Sequence, residues 1–346
     1  MKKMFFTTMM AAALALAAGC EDVNPEYTAP ESTEPEEIDR TAFAKGADIS
    51  WVTKMESEGI KFYNAAGEET ECTALMKQIG MNSIRLRVWV DPEEGWNGKG
   101  DVVAKALRAQ KLGMRIMIDF HYSDTWADPG NQTLPAAWSS FGISELKNAV
   151  SEHTKDVLGA LKAAGVDVEW VQVGNETRDG MLWELGRATK YPQNYTDLTN
   201  AGYDAVKSVY PDAKVVVHLD NGNSINYYNR IFGILEKYNG KYDLIGMSLY
   251  PSSDWESATK ACIENIKKCY QTYGHDVMIC EVGMPWDDPQ TAKEMLTYLM
   301  TNAKATGRCD GIFYWEPEAP AGYNGGYGLG AFADGKPTAA LDPFGE

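Results

Sequence analysis

From Ala44 onward, short apolar runs rich in β-branched residues alternate with longer segments whose apolar positions recur at three- and four-residue spacing. The first pattern fits strands buried on both faces, and the second fits amphipathic helices laid over them. Eight strand-like runs are predicted: Lys45–Ser50, Ser83–Val88, Arg115–Phe120, Val168–Val173, Lys214–Leu219, Leu244–Ser248, Val277–Glu281 and Gly311–Trp315. Helical spacing fills the intervals, over Thr70–Ile79, Val102–Leu112, Ile143–Ala164, Thr196–Tyr210, Ile225–Tyr238, Trp255–Tyr273 and Ala292–Ala305. Gly80, Gly113 and Gly165 stand where three of these helices must close before the next strand. Strands alternating with crossover helices build a parallel sheet, and eight is the number that closes one. The expected fold class is α/β, a single (β/α)8 TIM barrel over residues 41–346, with no large boundary and no repeat.

The pattern differs before Ala44. Lys2 and Lys3 precede a short apolar stretch, Met9 to Ala18, and the small residues Ala17-Ala18-Gly19 precede Cys20. Residues 1–19 resemble a bacterial lipoprotein signal peptide, although Ala17 stands where leucine is more usual. That resemblance implies cleavage before Cys20 and lipidation of its thiol; the alternative is ordinary secretion with removal of the segment. Residues 20–40 carry three prolines and many acidic side chains, too little apolar surface for a core, and are expected to form an extended, self-repelling tether. An acidic stretch after a lipidated cysteine also resembles surface-export signals. The expected location is the cell envelope, on an outer-membrane lipoprotein facing outward, with a lipid anchor as the only membrane contact. No later stretch approaches the roughly 20 apolar residues of a spanning helix.

Composition narrows the partners. Of 346 residues, 49 are acidic and 32 basic, a formal net charge of −17. Such a surface repels polyanions, so nucleic acid is excluded as the main partner and a neutral ligand is favoured. A monomer is expected. Setting Cys20 aside leaves Cys72, Cys262, Cys269, Cys280 and Cys309, an odd number without a Cys-x-x-Cys pair, which argues against a zinc or redox centre and requires at least one thiol outside any internal disulfide. Cys262 and Cys269 lie about 10 Å apart along one predicted helix, too far for a bridge.

Two glutamates fall at strand ends: Glu176, in Val173-Gly174-Asn175-Glu176 after the fourth strand, and Glu281, closing the seventh. In this fold the C-terminal strand ends build the active site. Either glutamate alone reads as a surface carboxylate; together, on strands expected to face each other across the barrel mouth, they suit glycoside hydrolysis. One must be held protonated to donate to the leaving oxygen, and the other ionised to attack the anomeric carbon.

Five ordered motifs sharpen this. They are Lys45-Gly46-Ala47-Asp48-Ile49-Ser50-Trp51, Arg85-Leu86-Arg87-Val88-Trp89-Val90-Asp91-Pro92, the long run Asp119-Phe120-His121-Tyr122-Ser123-Asp124-Thr125-Trp126-Ala127-Asp128-Pro129, Val173-Gly174-Asn175-Glu176, and Tyr314-Trp315-Glu316-Pro317. Together they resemble glycoside hydrolase family 53, the endo-β-1,4-galactanases, across essentially the whole predicted barrel.

The resemblance implies that Glu176 is the acid/base, Glu281 the nucleophile, and Asn175 a ligand of the sugar 2-hydroxyl. It places Arg85 near the nucleophile at the end of strand two, as a fixed cation or as a structural ion pair beneath the site. His121 and Tyr250 are expected to orient the nucleophile and the sugar, and Trp315 to offer an apolar face to a pyranose ring. Trp89, Trp126, Trp183 and Trp286 either bind sugar or pack loops together. Asp124 and Asp128 either bind hydroxyls or cap turns. His153 and His275 read as structural, and His218 is left undecided.

The substrate so implied is neutral β-1,4-galactan or galactooligosaccharide, as in arabinogalactan type I, hydrolysed with retention. No cofactor is required. Some relatives bind calcium after strand seven, but here that loop offers only Asp287 and Asp288, so structural calcium is left open and no catalytic metal is expected. The alternatives are a β-mannanase or cellulase sharing the paired glutamates, and a surface glycan-binding protein without turnover.

Overall fold

Eight parallel strands pair in sequence order, and the last returns to the first. They are β1 (Ala44–Asp48), β2 (Ser83–Val88), β3 (Arg115–Phe120), β4 (Trp170–Val173), β5 (Lys214–Leu219), β6 (Leu244–Leu249), β7 (Val277–Val282) and β8 (Cys309–Trp315). Asp48 of β1 pairs with Arg85 of β2 and with Trp315 of β8, which closes the barrel. This computed structural model describes residues 38–346. The predicted signal peptide, Cys20 and the tether up to Glu37 lie outside the described residues.

The barrel interior has two unlike layers. Low in the barrel, Ala44, Met117, Trp170, Val216, Met278 and Phe313 pack as an apolar plug. Gly46 is the space that the plug needs: a Cβ there would stand 2.3 Å from the Phe313 ring. Towards the C-terminal strand ends the filling turns polar, with Asp48, Arg85, Asp119, Gln172, His218 and Glu281 all buried. Buried polar groups require partners, and most of these find them in one another.

Helices cover the outside: α1 (Val52–Ser57), α2 (Cys72–Ile79), α3 (Lys99–Lys111), α4 (Ile143–Ala163), α5 (Pro192–Val209), α6 (Ile225–Lys237), α7 (Trp255–Tyr273) and α8 (Pro289–Ala305). α4 shows how sequence becomes packing. Its Leu146, Val150, Val157, Leu158 and Leu161 recur on one face and are buried, each contributing about 1.5–3 kcal/mol of apolar burial. α2 starts where the Glu71 carboxylate accepts from Ala74 N at 2.8 Å. It ends at Gly80, whose φ of 105° and the Phe344 carbonyl, 2.5 Å from where a Cβ would stand, both require glycine.

The predicted strands and helices are all present, with shifted ends. β1 stops at Asp48 because its carboxylate turns back to accept from the Ser50 amide and hydroxyl. α5 and α8 begin earlier than their apolar spacing, on Pro192 and Pro289 at the first helical turn. α1 was not expected; six residues are too few for a periodic signal. Also unpredicted are a two-stranded hairpin (Phe332–Ala333 with Lys336–Pro337) and a terminal 3-10 segment, Ala339–Gly345, that buries Leu341 and Phe344.

All five cysteines among the described residues are free and buried. Among those residues no helix is long and apolar enough to cross a membrane. A wide depression of about 1040 Å³ lies where Arg40, Arg115, Lys162, Asp167, Glu169 and Asp310 meet, beside the N-terminal strand ends. Its Asp167, Glu169 and Asp310 carboxylates are each paired with a cation, as in Arg115–Glu169 at 2.6 Å. The chemistry lies at the other rim.

Candidate active site

Glu176 sits just beyond β4 in an unusual backbone. Gly174 has φ 88° and Glu176 itself φ 45°; a Cβ on Gly174 would stand 2.6 Å from Thr177 Cγ2. A non-glycine residue held at positive φ costs of order 1–3 kcal/mol, and such strain concentrates at functional sites. The turn is over-determined: Thr177 N donates to the His218 carbonyl at 2.8 Å, and Gln132 Nε2 donates to the Asn175 carbonyl at 2.9 Å.

Glu281 extends from β7. In the barrel order β5 and β6 stand between β4 and β7 on one side. Ser248 of β6 fills that interval. Its hydroxyl donates to Glu176 Oε1 at 2.7 Å and lies 3.5 Å from Glu281 Oε2. These two carboxylate oxygens are therefore at most about 6 Å apart, near enough for both carboxyl groups to act on one glycosidic bond.

The electrostatics of the two carboxylates differ. Burial, and next the charge of Glu281, push the Glu176 carboxyl well above the ordinary range. Burial also raises Glu281, but Arg85 and the Tyr250 hydroxyl oppose that rise. Arg85 Nη2 stands 2.9 Å from Glu281 Oε1, and Tyr250 Oη donates to Glu281 Oε2 at 2.6 Å. Two carboxylates this close, one buried and the other half-buried, favour a single shared negative charge, and the cation assigns it to Glu281. Glu176 keeps the proton.

Arg85 organises the floor. It lies mid-strand in β2, not at its end, and is buried. Its guanidinium donates to Asp48 (2.6 Å), Gln172 (2.6 Å), Asp119 (2.9 Å) and Asn175 (3.0 Å) besides facing Glu281. Burial alone would raise Asp119, but Arg85 and His121 bring it down to about 2.

A cleft of about 400 Å³ gathers Glu176, Glu281, Asn175, His121, Tyr250, Trp126 and Trp315 with Trp51, Asp128, Asn324 and Tyr327. Trp51 meets Trp126 edge-on and Trp315 at a tilt, and the Arg87 guanidinium sits 4.3 Å from the Trp126 ring. A second basin of about 500 Å³ adjoins through Trp51, Trp126 and Asn324, and is lined by Trp89, Trp96, Asp91 and Asp124.

Other expected residues fall elsewhere or act less directly. His121 contacts Asp119 (3.0 Å), the Ala127 amide (3.0 Å) and Trp89, not Glu281; it reaches the nucleophile only through Asp119 and Arg85. Asp124 accepts from the Asp91 and Ala136 amides and pins two loops, and Asp128 accepts from Gly130 N in a turn. Trp183 packs on Arg187, and Trp286 stands 47% exposed outside the cleft. His153 is enclosed by Phe120, Tyr122 and Trp138, where burial lowers it to about 4. His275 bonds the Asp243 carbonyl. Asp288 caps α8 through Thr291 N, and among the described residues no group of three or more acidic, His or Cys side chains is arranged to hold a metal.

Sequence reading missed Trp51, Gln172, Ser248 and Tyr327. Trp51 closes the Lys45–Trp51 motif, and Gln172 and Ser248 are inward-facing polar residues on otherwise apolar strands; such an interruption is the signal the sequence offers.

A parallel eightfold barrel with a strained, proton-holding glutamate opposite an arginine-bound one, beneath a wall of tryptophans, defines a barrel glycoside hydrolase. The profile of glycosyl hydrolase family 53 matches residues 44–334, and the chain belongs to that family. It is 33% identical over 300 residues to a probable arabinogalactan endo-β-1,4-galactanase A of Aspergillus fumigatus, covering 79% of this chain and 83% of that one. It is 33% identical over 306 residues to an endo-β-1,4-galactanase of Bacillus subtilis, covering 80% and 70%. The fold superposes on a solved fungal β-1,4-galactanase with a TM-score of 0.79 at 30% identity, covering 88% of this chain and 99% of that one.

Proposed function

We propose that this enzyme hydrolyses internal β-1,4-galactosidic bonds of neutral galactan, including the side chains of pectin, with retention of anomeric configuration. The observation that carries the mechanism is the asymmetry of the pair bridged by Ser248. Glu176, protonated at rest, donates to the leaving galactoside oxygen while ionised Glu281 attacks the anomeric carbon. The Glu176 carboxylate so formed then takes a proton from the water that releases the sugar from Glu281. Asn175 has one amide hydrogen on the Ala127 carbonyl and a second left for the sugar 2-hydroxyl.

The substrate rests on the named relatives, and the formal charge of −17 agrees with a neutral polymer. Two adjoining basins sharing Trp51 and Trp126 suit a chain lying along a groove, hence internal cleavage. The test is reducing-sugar release from β-1,4-galactan, β-mannan and β-glucan by the domain starting at Arg40. Activity confined to galactan and lost in Glu176→Gln supports substrate and acid/base together; activity on mannan or glucan instead reassigns the substrate.

We propose further that Cys20 is lipidated and anchors a monomeric enzyme to the outer face of the cell envelope, with residues 21–40 as tether. Lys2, Lys3, the apolar stretch and Ala18-Gly19-Cys20 support this. Labelled palmitate should enter the full chain and not Cys20→Ala; equal labelling refutes the anchor.

A further inference from the structure

Three buried side chains between the carboxylates, Gln172, His218 and Ser248, form a chain of hydrogen bonds whose direction is determined. Arg85 Nε can only donate, so Gln172 Oε1 accepts at 2.6 Å. That orients Gln172 Nε2 towards Asp119 Oδ1 and His218 Nδ1, both at 2.9 Å. Asp119, an ionised carboxylate beside Arg85, takes one amide hydrogen. The other points at His218 Nδ1, which is therefore the bare nitrogen. Burial and the Arg85 charge hold His218 neutral, so its single hydrogen is on Nε2, 2.8 Å from Ser248 Oγ. Ser248 accepts that hydrogen and gives its own to Glu176 Oε1 at 2.7 Å.

We propose that Ser248, aimed by His218 and Gln172, is a positioning residue for the acid/base: it occupies Glu176 Oε1, so the proton delivered to the leaving oxygen sits on Oε2, and it supports the carboxylate form needed for the second step. The proposal rests on Glu176 being the acid/base. One contact competes. His218 Nδ1 also lies 3.0 Å from Asn175 Oδ1, which would accept from the opposite tautomer. Asn175 Oδ1 already accepts from Arg85 Nη2 at 3.0 Å. The opposite tautomer would also drive the Gln172 and His218 hydrogens against each other and turn the Ser248 hydroxyl away from Glu176. The charged groups facing Glu176 are Glu281 from β7, Asp220 after β5 and Arg85 from β2; replacing Ser248 leaves their charges in place and removes only the long 3.5 Å contact to Glu281 Oε2, which bears on the acid limb and not the alkaline one.

Nitrogen-15 NMR of the histidine-labelled enzyme, with four histidines and His218→Gln to assign the signal, reads the tautomer without substrate. Protonated Nε2 and bare Nδ1 on His218 are expected; a protonated Nδ1 overturns the relay. The second measurement is the pH profile of kcat/KM on galactan for Ser248→Ala and Ser248→Thr. A hydroxyl that donates to Glu176 lowers its pKa, so its loss should move the alkaline limb to higher pH, with roughly a tenfold fall in kcat on an aryl galactoside whose second step is limiting; Thr should restore both. An unmoved limb in Ser248→Ala overturns the proposal, and if that variant does not fold, the tautomer decides alone. Failure of the acid/base reading would show separately, as full activity in Glu176→Gln.

Discussion

Arg85 Nη2 stands 2.9 Å from Glu281 Oε1 while the same guanidinium also holds Asp48 and Asp119, so one buried cation faces three carboxylates. Burial, and to a lesser degree the charges of Asp119 and Asp48, keep Glu281 raised despite its cation. Arg85→Met leaves those carboxylates without it. We expect about 3–5 kcal/mol lost in urea unfolding at neutral pH. Because Arg85 favours the ionised nucleophile, its loss should also move the acid limb of kcat/KM to higher pH in whatever enzyme remains folded.

Tyr250 offers a gentler probe of the same charge. Its ring faces the open cleft while its hydroxyl donates to Glu281 Oε2 at 2.6 Å. Tyr250→Phe should keep the fold, lower kcat/KM roughly tenfold, and shift the acid limb upward, since a donor to the carboxylate has been removed. An unchanged limb would remove Tyr250 from the control of the nucleophile.

The two glutamates should separate by leaving group. Glu281→Ala is expected to abolish turnover of every galactoside with the circular dichroism spectrum unchanged. Glu176→Gln should lose roughly 10²–10⁴-fold on galactan and far less on a galactoside whose aryl leaving group needs no proton. Equal losses on both substrates would argue against Glu176 as the acid.

A second buried pair predicts how stability varies with pH. Glu316 bonds Arg87 and the Trp51 amide, and burial lifts it from 4.5 to about 7; Glu318, beside it, is also raised. A carboxyl whose pKa is raised on folding contributes stability below its unfolded value, and this is lost as pH rises through the folded value. The wild-type urea midpoint should therefore fall between about pH 4.5 and 7, by a few kcal/mol in free energy. Glu316→Gln should be less stable overall, because Arg87 loses its partner, yet show a flatter slope across that window.

The barrel was legible because β-type runs and helical spacing alternate without interruption, and Glu176 and Glu281 because they form a pair, each at the end of an apolar strand on the same rim, where either alone reads as a surface carboxylate. His218 could not be assigned from its neighbours in sequence, since its partners Gln172 and Ser248 lie on flanking strands and meet it only when the barrel closes. Asp124 and His121 had the right chemistry in the right motif, but backbone amides and Asp119 take their polar atoms, a competition that only three-dimensional packing decides. α1 and the terminal hairpin were invisible because neither is long enough for a period.

The five buried cysteines have a bearing on oxidative chemistry. Oxidants and disulfide exchange act on the thiolate, and burial pushes Cys269 and Cys309 up to about 12 and Cys72, Cys262 and Cys280 upward as well. All five are buried in the folded barrel and are held as thiols. The barrel from Arg40 should therefore resist peroxide without cross-linking, and sulfhydryl reagents should react with its five cysteines chiefly as it unfolds.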